Sequence, residues 1–273
     1  AGGKVEFKFM SVSDDDPTDA MWEEGYNREL ALLGLDDGDV VAYDLDQAFF
    51  AICDTKVAGT LVPVFSLRTK KSFGVGDFGD LEKMVDFMCA TGQKVLQVLP
   101  INDSTITHTW TDSYPYSCIS IFALHPQYAC LHKLPLLEDK AKRERYEKER
   151  RELNNLPQID YERVNKTKMA YLRDLYAQEG EKTLGTRAFK EFFRENGQWL
   201  VPYAQYCTLR DAYGTADFTR WKDQNLWNEA DRKKLSDPRS KEYETVAVWY
   251  YVQFVLSQQM KAVHDYARQR HVI

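Results

Sequence analysis

A strand–helix–strand pattern at residues 59–101 constrains the fold of this chain more than any other feature. Residues 59–67 form a continuous apolar run, residues 80–91 have the period of a short amphipathic helix, and residues 94–101 form a second apolar run interrupted by Pro100. Two apolar strands joined by a helix predict a βαβ unit, and therefore a parallel sheet. Enzymes with such sheets build their sites at the carboxyl ends of the strands.

The aromatic loop, residues 102–117, directly follows the second predicted strand. Its second half, residues 110–117, contains one tryptophan, two tyrosines, one aspartate and two serines. Aromatic faces stack on the C–H surface of sugar rings, while carboxylate and hydroxyl groups hydrogen-bond sugar hydroxyls. The composition and position of this loop therefore indicate a carbohydrate site. The alternative is ordinary packing, because tyrosine and proline are common loop residues.

Charge and cysteine content exclude several other classes. The 36 basic and 42 acidic residues give a formal net charge of −6, with no basic block interleaved with aromatics, so no nucleic-acid partner is expected. The five cysteines are widely spaced and form no C-x-x-C pair, which predicts neither a disulfide framework nor a metal site. No cofactor is expected. Without a leader-like segment or a long apolar stretch, we expect no membrane partner and a cytoplasmic location.

Two regions are predicted along the chain. Residues 1–50 alternate polar and apolar positions between Gly- and Asp-containing turns, which indicates strands. Residues 51–273 continue as α/β structure with a large helical insertion at about 131–245. Helix signals cover residues 138–152, 166–178, 188–213 and 242–270. The first of these is densely charged with mixed sign, which favours a solvated helix face.

Several segments, in the same order along the chain, resemble family 77 glycoside hydrolases, the 4-alpha-glucanotransferases or amylomaltases. These segments are Val62–Arg68, Ser72–Leu81, Gln97–Pro100, Ser113–Ser117, Phe122–Pro126, Asp160–Val164, Trp199–Leu200, Tyr203–Ala204, Tyr251–Phe254 and Tyr266–Ala267. The resemblance covers about residues 58–273. It implies an α/β fold, here a partial TIM-type (β/α)8 barrel with a large helical insertion.

The resemblance also implies an activity. Family members transfer α-1,4-glucan segments between maltooligosaccharides or glycogen- and starch-type α-glucans by a retaining double displacement. Their nucleophile, acid/base and third aspartate belong to later barrel strands, so catalytic residues are expected beyond Ile273 and this chain alone is expected to be inactive. A non-catalytic starch- or maltooligosaccharide-binding protein is the alternative. A hydrolase of the wider α-amylase superfamily is less favoured, because amylases lack the tyrosine segment and the helical insertion.

Candidate substrate contacts follow from the family pattern. In the family, the tyrosine at the position of Tyr116 lines the donor side of the cleft, with the serine at the position of Ser113 nearby. Asp112, Trp110 and Tyr114 are further candidates. Tyr114 is an extra residue relative to the family's Ser-Pro-Tyr segment. A loop at 102–105 that lacks the family's glycines indicates the subgroup acting on maltose and branched glucans.

A second resemblance lies at the amino terminus. Phe7-Lys8-Phe9, Trp22-Glu23 and the segment 25–28 look like the last third of a family 20 carbohydrate-binding module, a starch-binding β-sandwich. The resemblance gives glucan-binding roles to Trp22, Lys8 and Asn27. The alternative is that Trp22 packs in a core and Lys8 is a surface charge. The family's other stacking tryptophan is absent from this sequence.

Four carboxylates lie near the two strand ends, and by spacing alone a pair among them could serve as acid and nucleophile: Asp77, Asp80, Asp103 and Asp112. Turn, capping and substrate-binding roles are favoured, because loop carboxylates usually serve in these ways. Asp80 is the predicted N-cap of the first barrel helix. Neither His125 nor His132 has a serine or cysteine at a nucleophile elbow, so no hydrolase triad is predicted.

Overall fold

The alternating positions near the amino terminus form short antiparallel strands. These are β1 (Gly3–Phe7), β2 (Met10–Val12), β3 (Ala20–Trp22) and β4 (Arg28–Leu32). β1 pairs with β4, and β2 pairs with β3. The carboxylate of the buried Glu23 accepts hydrogen bonds from the Arg28 guanidinium, with Nε 2.9 Å from Oε2. The strands predicted for this region are present, whereas the β-sandwich stays a prediction.

The computed structural model describes residues 3–16, 18–32, 34, 36–45, 47–50, 56–222 and 229–273, apart from the side chains of residues 231 and 232. The chain divides into one unit at Ala1–Val57 and a second at Ala58–Ile273. The boundary predicted between residues 50 and 51 adjoins residues 51–55, which lie outside the described part.

The predicted βαβ unit opens the second unit. Strand β5 (Gly59–Val62) runs parallel to β6 (Val95–Val98), and helix α1 (Phe78–Ala90) connects them. Both strands are shorter than predicted. Pro63 ends β5 because it has no N–H for a strand ladder, and its carbonyl instead accepts a hydrogen bond from Ser66 N–H at 3.0 Å.

Helix α1 begins two residues before the position predicted from the sequence. Its N-cap is Asp77 rather than Asp80, and the Asp77 carboxylate accepts hydrogen bonds from the N–H groups of Gly79 and Asp80 at 2.8 and 3.3 Å. Asp80 is the third helical residue, and its carboxylate accepts the Asp77 N–H at 3.0 Å. This reciprocal capping box satisfies helix-end donors, so both buried carboxylates are structural.

The described residues of the second unit form five further α-helices. They are α2 (Lys140–Asn154), α3 (Tyr161–Leu184), α4 (Arg187–Tyr213), α5 (Glu229–Ser236) and α6 (Tyr243–Gln269). α6 is the central helix, because it contacts α1, α3, α4 and α5. The charged helix α2 exposes ion pairs such as Lys140–Glu144, as its sequence predicts, but it also buries Tyr146 and Leu153.

The final residues run beside β6. Ile273 N–H donates to the Lys94 carbonyl at 2.8 Å, and Leu96 N–H donates to the Ile273 carbonyl at 2.7 Å. These bonds place Ile273 at the sheet edge opposite β5 and continue the strand–helix–strand order. The second unit is a mixed helix and strand fold that begins with the parallel pair β5–β6.

A buried lysine ties α3 to α1. Lys168 is fully buried, and its Nζ donates to the carbonyls of Gln127 and Ala129 at 2.6 and 2.9 Å. The same Nζ lies 3.8 Å from Oδ2 of Asp77, the N-cap of α1. A charge in such a place is tolerated only with its partners, and removing one partner of a buried pair costs about 3–5 kcal/mol.

We predict that Lys168→Met lowers the free energy of unfolding by about 3–5 kcal/mol at pH 7. Burial raises the pKa of Asp77 from 3.8 to about 6, against the charge of Lys168. Without the Lys168 charge the pKa of Asp77 rises further above its value in the unfolded chain. Ionisation of Asp77 then destabilises the native state of the variant more than that of the unmodified chain. The difference in free energy of unfolding between the two is therefore smaller at pH 5 than at pH 7.

Urea unfolding at both pH values measures this effect. The control is Lys166→Met, on an exposed position of the same helix. An equal loss in the two variants would contradict a specific role for Lys168.

Candidate functional site

Backbone hydrogen bonds close the aromatic loop onto the segment that follows it. The Asp103 N–H donates to the Ala123 carbonyl at 2.9 Å, and the Ile119 N–H donates to the Asp103 carbonyl at 2.7 Å. Asn102 forms an isolated antiparallel bridge with Leu124. The loop thus leaves the carboxyl end of β6 and returns to the same place, which is where a site was predicted.

Three predicted contact residues expose large aromatic surfaces. The side chains of Trp110, Tyr114 and Tyr116 are 68%, 58% and 60% exposed. The rings of Tyr114 and Tyr116 lie together with centroids 5.6 Å apart and an interplanar angle of 51°. Pro115 between them is buried, and Ser113 is half-buried. Two adjacent, outward-facing tyrosines form a surface suited to stacking against an extended polar ligand with apolar faces.

The side chain of Asp112, predicted to contact substrate, is buried and hydrogen-bonded within the loop. Its carboxylate accepts hydrogen bonds from Thr107 N–H at 3.0 Å, Thr107 Oγ1 at 2.9 Å and His108 N–H at 2.7 Å. His108 has a left-handed backbone with φ of 59°, which is costly for a residue other than glycine. Asp112 therefore holds the turn that precedes the tyrosines.

A second buried aspartate connects the loop to the helices. The Asp103 Oδ2 accepts a hydrogen bond from Tyr203 Oη at 2.6 Å, and Oδ1 accepts from Thr105 N–H and Oγ1 at 3.0 and 2.7 Å. Gln253 Nε2 in turn donates to Tyr203 Oη at 3.2 Å. The sequence placed Asp103 near the site, but no local signal identified its partner Tyr203, 100 residues away in the chain, or the Gln253 that bonds Tyr203.

A charged cluster forms a further connection nearer the surface. Buried Arg210 donates to the Thr105 carbonyl at 2.8 Å and to Asp211 Oδ1 at 2.8 Å. Asp211 also lies 3.1 Å from His108 Nε2 and accepts from Arg173 at 3.0 Å. Burial raises the pKa of Asp211, but the His108 hydrogen bond and the Arg210 charge outweigh it and hold that pKa below its usual value.

A cavity of about 650 Å³ lies between the aromatic loop and helices α3 and α4. Its wall includes His125, whose Nδ1 accepts the Gln127 N–H at 3.2 Å, and burial lowers the pKa of this imidazole. The neutral ring therefore carries its proton on Nε2. At the cavity wall, Trp110 N–H donates to Glu162 Oε1 at 3.2 Å, so the loop is also fixed to the start of α3.

Nucleophilic and metal chemistry find no support in the described residues. Cys130 Sγ lies 3.3 Å from His132 Nδ1, but burial raises the pKa of this thiol far above its usual range, so it stays protonated. Cys89, Cys118, Cys130 and Cys207 are free, while Cys53 lies outside the described part. Over that same part of the chain, no group of three metal-ligating side chains occurs, and no helix is sufficiently long and apolar to cross a bilayer.

The three predicted starch-binding residues lie near one junction of the strands in the first unit. Phe7 pairs with Arg28, and Met10 pairs with Trp22. Lys8 directly follows the end of β1, and Asn27 directly precedes the start of β4. The Trp22 side chain is 61% exposed, which argues against a core role, and Asn27 Nδ2 donates to Glu6 Oε2 at 3.3 Å.

Comparison with known proteins identifies the family. Residues 62–273 match the family 77 glycoside hydrolase model, described as 4-alpha-glucanotransferase. The chain belongs to this family. It is 35% identical over 216 residues to the rice (Oryza sativa subsp. japonica) 4-alpha-glucanotransferase DPE2, covering 79% of this chain and 23% of that protein. It is 31% identical to the Chlamydia pneumoniae 4-alpha-glucanotransferase, covering 79% of this chain and 39% of that protein. The chain thus spans less than half the length of these relatives.

Solved structures show the same fold. An amylomaltase from Streptococcus agalactiae in complex with acarbose matches with a TM-score of 0.63 at 20% identity, covering 80% of this chain and 42% of that one. An amylomaltase from Corynebacterium glutamicum matches with a TM-score of 0.62 at 19% identity, covering 78% and 29%. The aligned part of this chain therefore has the fold of these amylomaltases.

We predict that Asp112→Ala loosens the turn at residues 107–112, because it removes the carboxylate that accepts hydrogen bonds from the N–H groups of Thr107 and His108 and from the Thr107 hydroxyl. Hydrogen bonds to a charged group contribute about 1.5–3 kcal/mol each, so local opening becomes much easier. Hydrogen exchange of peptides covering 105–113 measures it. The control is Asp217→Ala, because the exposed Asp217 accepts the same kind of turn bonds from Thr219 outside the aromatic loop. Unchanged exchange at 105–113 would contradict this role for Asp112.

Proposed function

We propose that this family 77 chain forms part of the α-glucan site of a 4-alpha-glucanotransferase. The observation that supports this most is the exposed Tyr114–Tyr116 pair at the carboxyl end of β6, in a loop held by buried hydrogen bonds. Preorganised aromatic surfaces bind sugars at low entropic cost. The proposed substrates are maltooligosaccharides and glycogen- or starch-type glucans, with Tyr116 on the donor side and Ser113, Tyr114 and Trp110 nearby.

The proposed chemistry is a retaining double displacement. One carboxylate attacks the anomeric carbon while a protonated carboxylic acid releases the leaving sugar, and an acceptor hydroxyl then resolves the glycosyl-enzyme. Each carboxylate considered near the strand ends already accepts hydrogen bonds from helix ends or loops: Asp77, Asp80, Asp103 and Asp112. We therefore assign none of them as nucleophile or acid, and this chain by itself is not expected to disproportionate maltotriose.

The proposed architecture is a partial (β/α)8 barrel with a helical insertion. Its support is the parallel pair β5–β6 with α1 between them, and Ile273 bonded along β6 on the other side. For the first unit, we propose a starch-binding surface at Trp22, Lys8 and Asn27. The exposed indole offers a stacking face, and the lysine and amide supply donors for sugar hydroxyls.

We predict that Tyr116→Ala weakens maltoheptaose binding to this chain by at least tenfold with the fold retained, because stacking surface is lost. Isothermal titration calorimetry measures the affinity, and circular dichroism checks the fold. Phe218→Ala is the control, since Phe218 is a similarly exposed aromatic of the second unit, 54% accessible, outside the aromatic loop. Equal affinities of Tyr116→Ala and the unmodified chain would refute the site.

We predict separately that Trp22→Ala reduces co-sedimentation with insoluble starch, since Trp22 supplies the one aromatic face among Trp22, Lys8 and Asn27. The matched control is Tyr26→Ala, which removes an aromatic ring that is 98% exposed in the same unit. Starch retention that depends on Tyr26 and not on Trp22 would contradict the assigned surface.

A further inference from the structure

We infer that Tyr203 is a positioning residue for the glucan site, and that it acts through Asp103 on the aromatic loop. This inference rests on the proposed function for its meaning, but its geometry is independent of any ligand. Tyr203 lies in helix α4, within the helical insertion, and contributes no exposed surface to the tyrosine pair. Its single hydroxyl joins the insertion to the start of the loop at a distance of 2.6 Å.

The Asp103 carboxylate leaves little freedom to the loop start. The residue is fully buried, and both its oxygens have partners, Tyr203 on Oδ2 and Thr105 on Oδ1. Its main chain also bonds Ala123 and Ile119 through N–H and carbonyl. Asp103 is therefore the point where side-chain and main-chain bonds meet, and a shift of its carboxylate moves the backbone that leads to the tyrosines.

Tyr203 is itself held in place on several sides. Its ring contacts Trp199 and Trp249 edge-on, with centroids 6.3 and 6.0 Å away. Gln253 of α6 donates to its hydroxyl at 3.2 Å and also bonds both the N–H and the carbonyl of Leu124 at 2.8 Å. A series of hydrogen-bonded side chains, Asp103–Tyr203–Gln253, thus connects the start of the loop to Leu124, in the segment that closes the loop.

The strength of this connection follows from its burial. Burial raises the pKa of Tyr203 well above its usual value, with the Asp103 charge adding to the shift, so the hydroxyl remains a donor. A buried carboxylate oxygen that loses its donor has no solvent to replace it, and it relaxes by moving the loop. Removing one hydroxyl at Tyr203 should therefore change the geometry of residues that Tyr203 does not touch.

Tyr203→Phe tests this inference, with Tyr251→Phe as the matched control. Tyr251 is also a buried tyrosine, and its hydroxyl donates to Glu179 Oε1 at 2.7 Å, outside the aromatic loop. We expect hydrogen exchange of peptides covering 102–117 to rise at least tenfold in Tyr203→Phe and to stay unchanged in Tyr251→Phe. Equal exchange of the loop in the two variants would overturn the inference, even if both lose thermal stability.

A double-mutant cycle with Tyr116→Ala connects the geometry to binding. We expect Tyr203→Phe to weaken maltoheptaose binding roughly tenfold when Tyr116 is present and to have no further effect on the Tyr116→Ala background. Additive losses would show that Tyr203 does not act through the loop and would overturn the inference. If the unmodified chain does not bind maltoheptaose, the proposed function fails, and the exchange experiment alone decides the positioning role.

Thr105→Val provides a second variant should Tyr203→Phe fail to fold. It removes the other side-chain donor to Asp103 with little change of shape. We expect the same rise in exchange at residues 102–117, and an unchanged loop would contradict the role given to the Asp103 carboxylate.

Discussion

The fully buried carboxylate of Asp103 is the constraint on which the candidate site depends. A charge in this position requires donors on both oxygens, and the donors come from the loop itself and from helix α4. The loop after β6 therefore cannot settle independently of helix α4. This helix supports the short aromatic loop that follows the strand.

A second buried network fixes the helix that follows β5. Lys168 of α3 lies beside Asp77 in the capping box of α1, so α1 is held by α3 just as the aromatic loop is held by α4. Together, the two networks account for Asp77, Asp80 and Asp103 as structural groups, and Asp112 is held in the same way by Thr107 and His108. Acid–base catalysis by a carboxylate pair needs groups that meet the substrate and have separated protonation states. None of these four acids is free to form such a pair, which agrees with the substrate-holding role proposed for this chain.

Local sequence patterns predicted the elements well where the cause is local. The βαβ unit and the helices follow from apolar periodicity, and the exposed tyrosines follow from turn residues between polar neighbours. The length predicted for β5 was wrong, because Pro63 ends the strand within the apolar run at residues 59–67. Asp77 caps α1 in place of the predicted Asp80, which forms the other half of the capping box, and Asp77 is the one of the two that lies beside Lys168. Tyr203 was missed as a partner of Asp103 because it lies on a distant helix, where no short-range pattern indicates a hydrogen bond.

The most direct test of the central claim is a hydrogen-exchange footprint of this chain with and without maltoheptaose. The account predicts ligand-dependent protection in the second unit concentrated at residues 102–124, with little change in the charged helix α2. Protection of the first unit alone would leave starch binding there but contradict a glucan site on the aromatic loop. Saturating ligand without any protection at 102–124 would contradict the account in the same way.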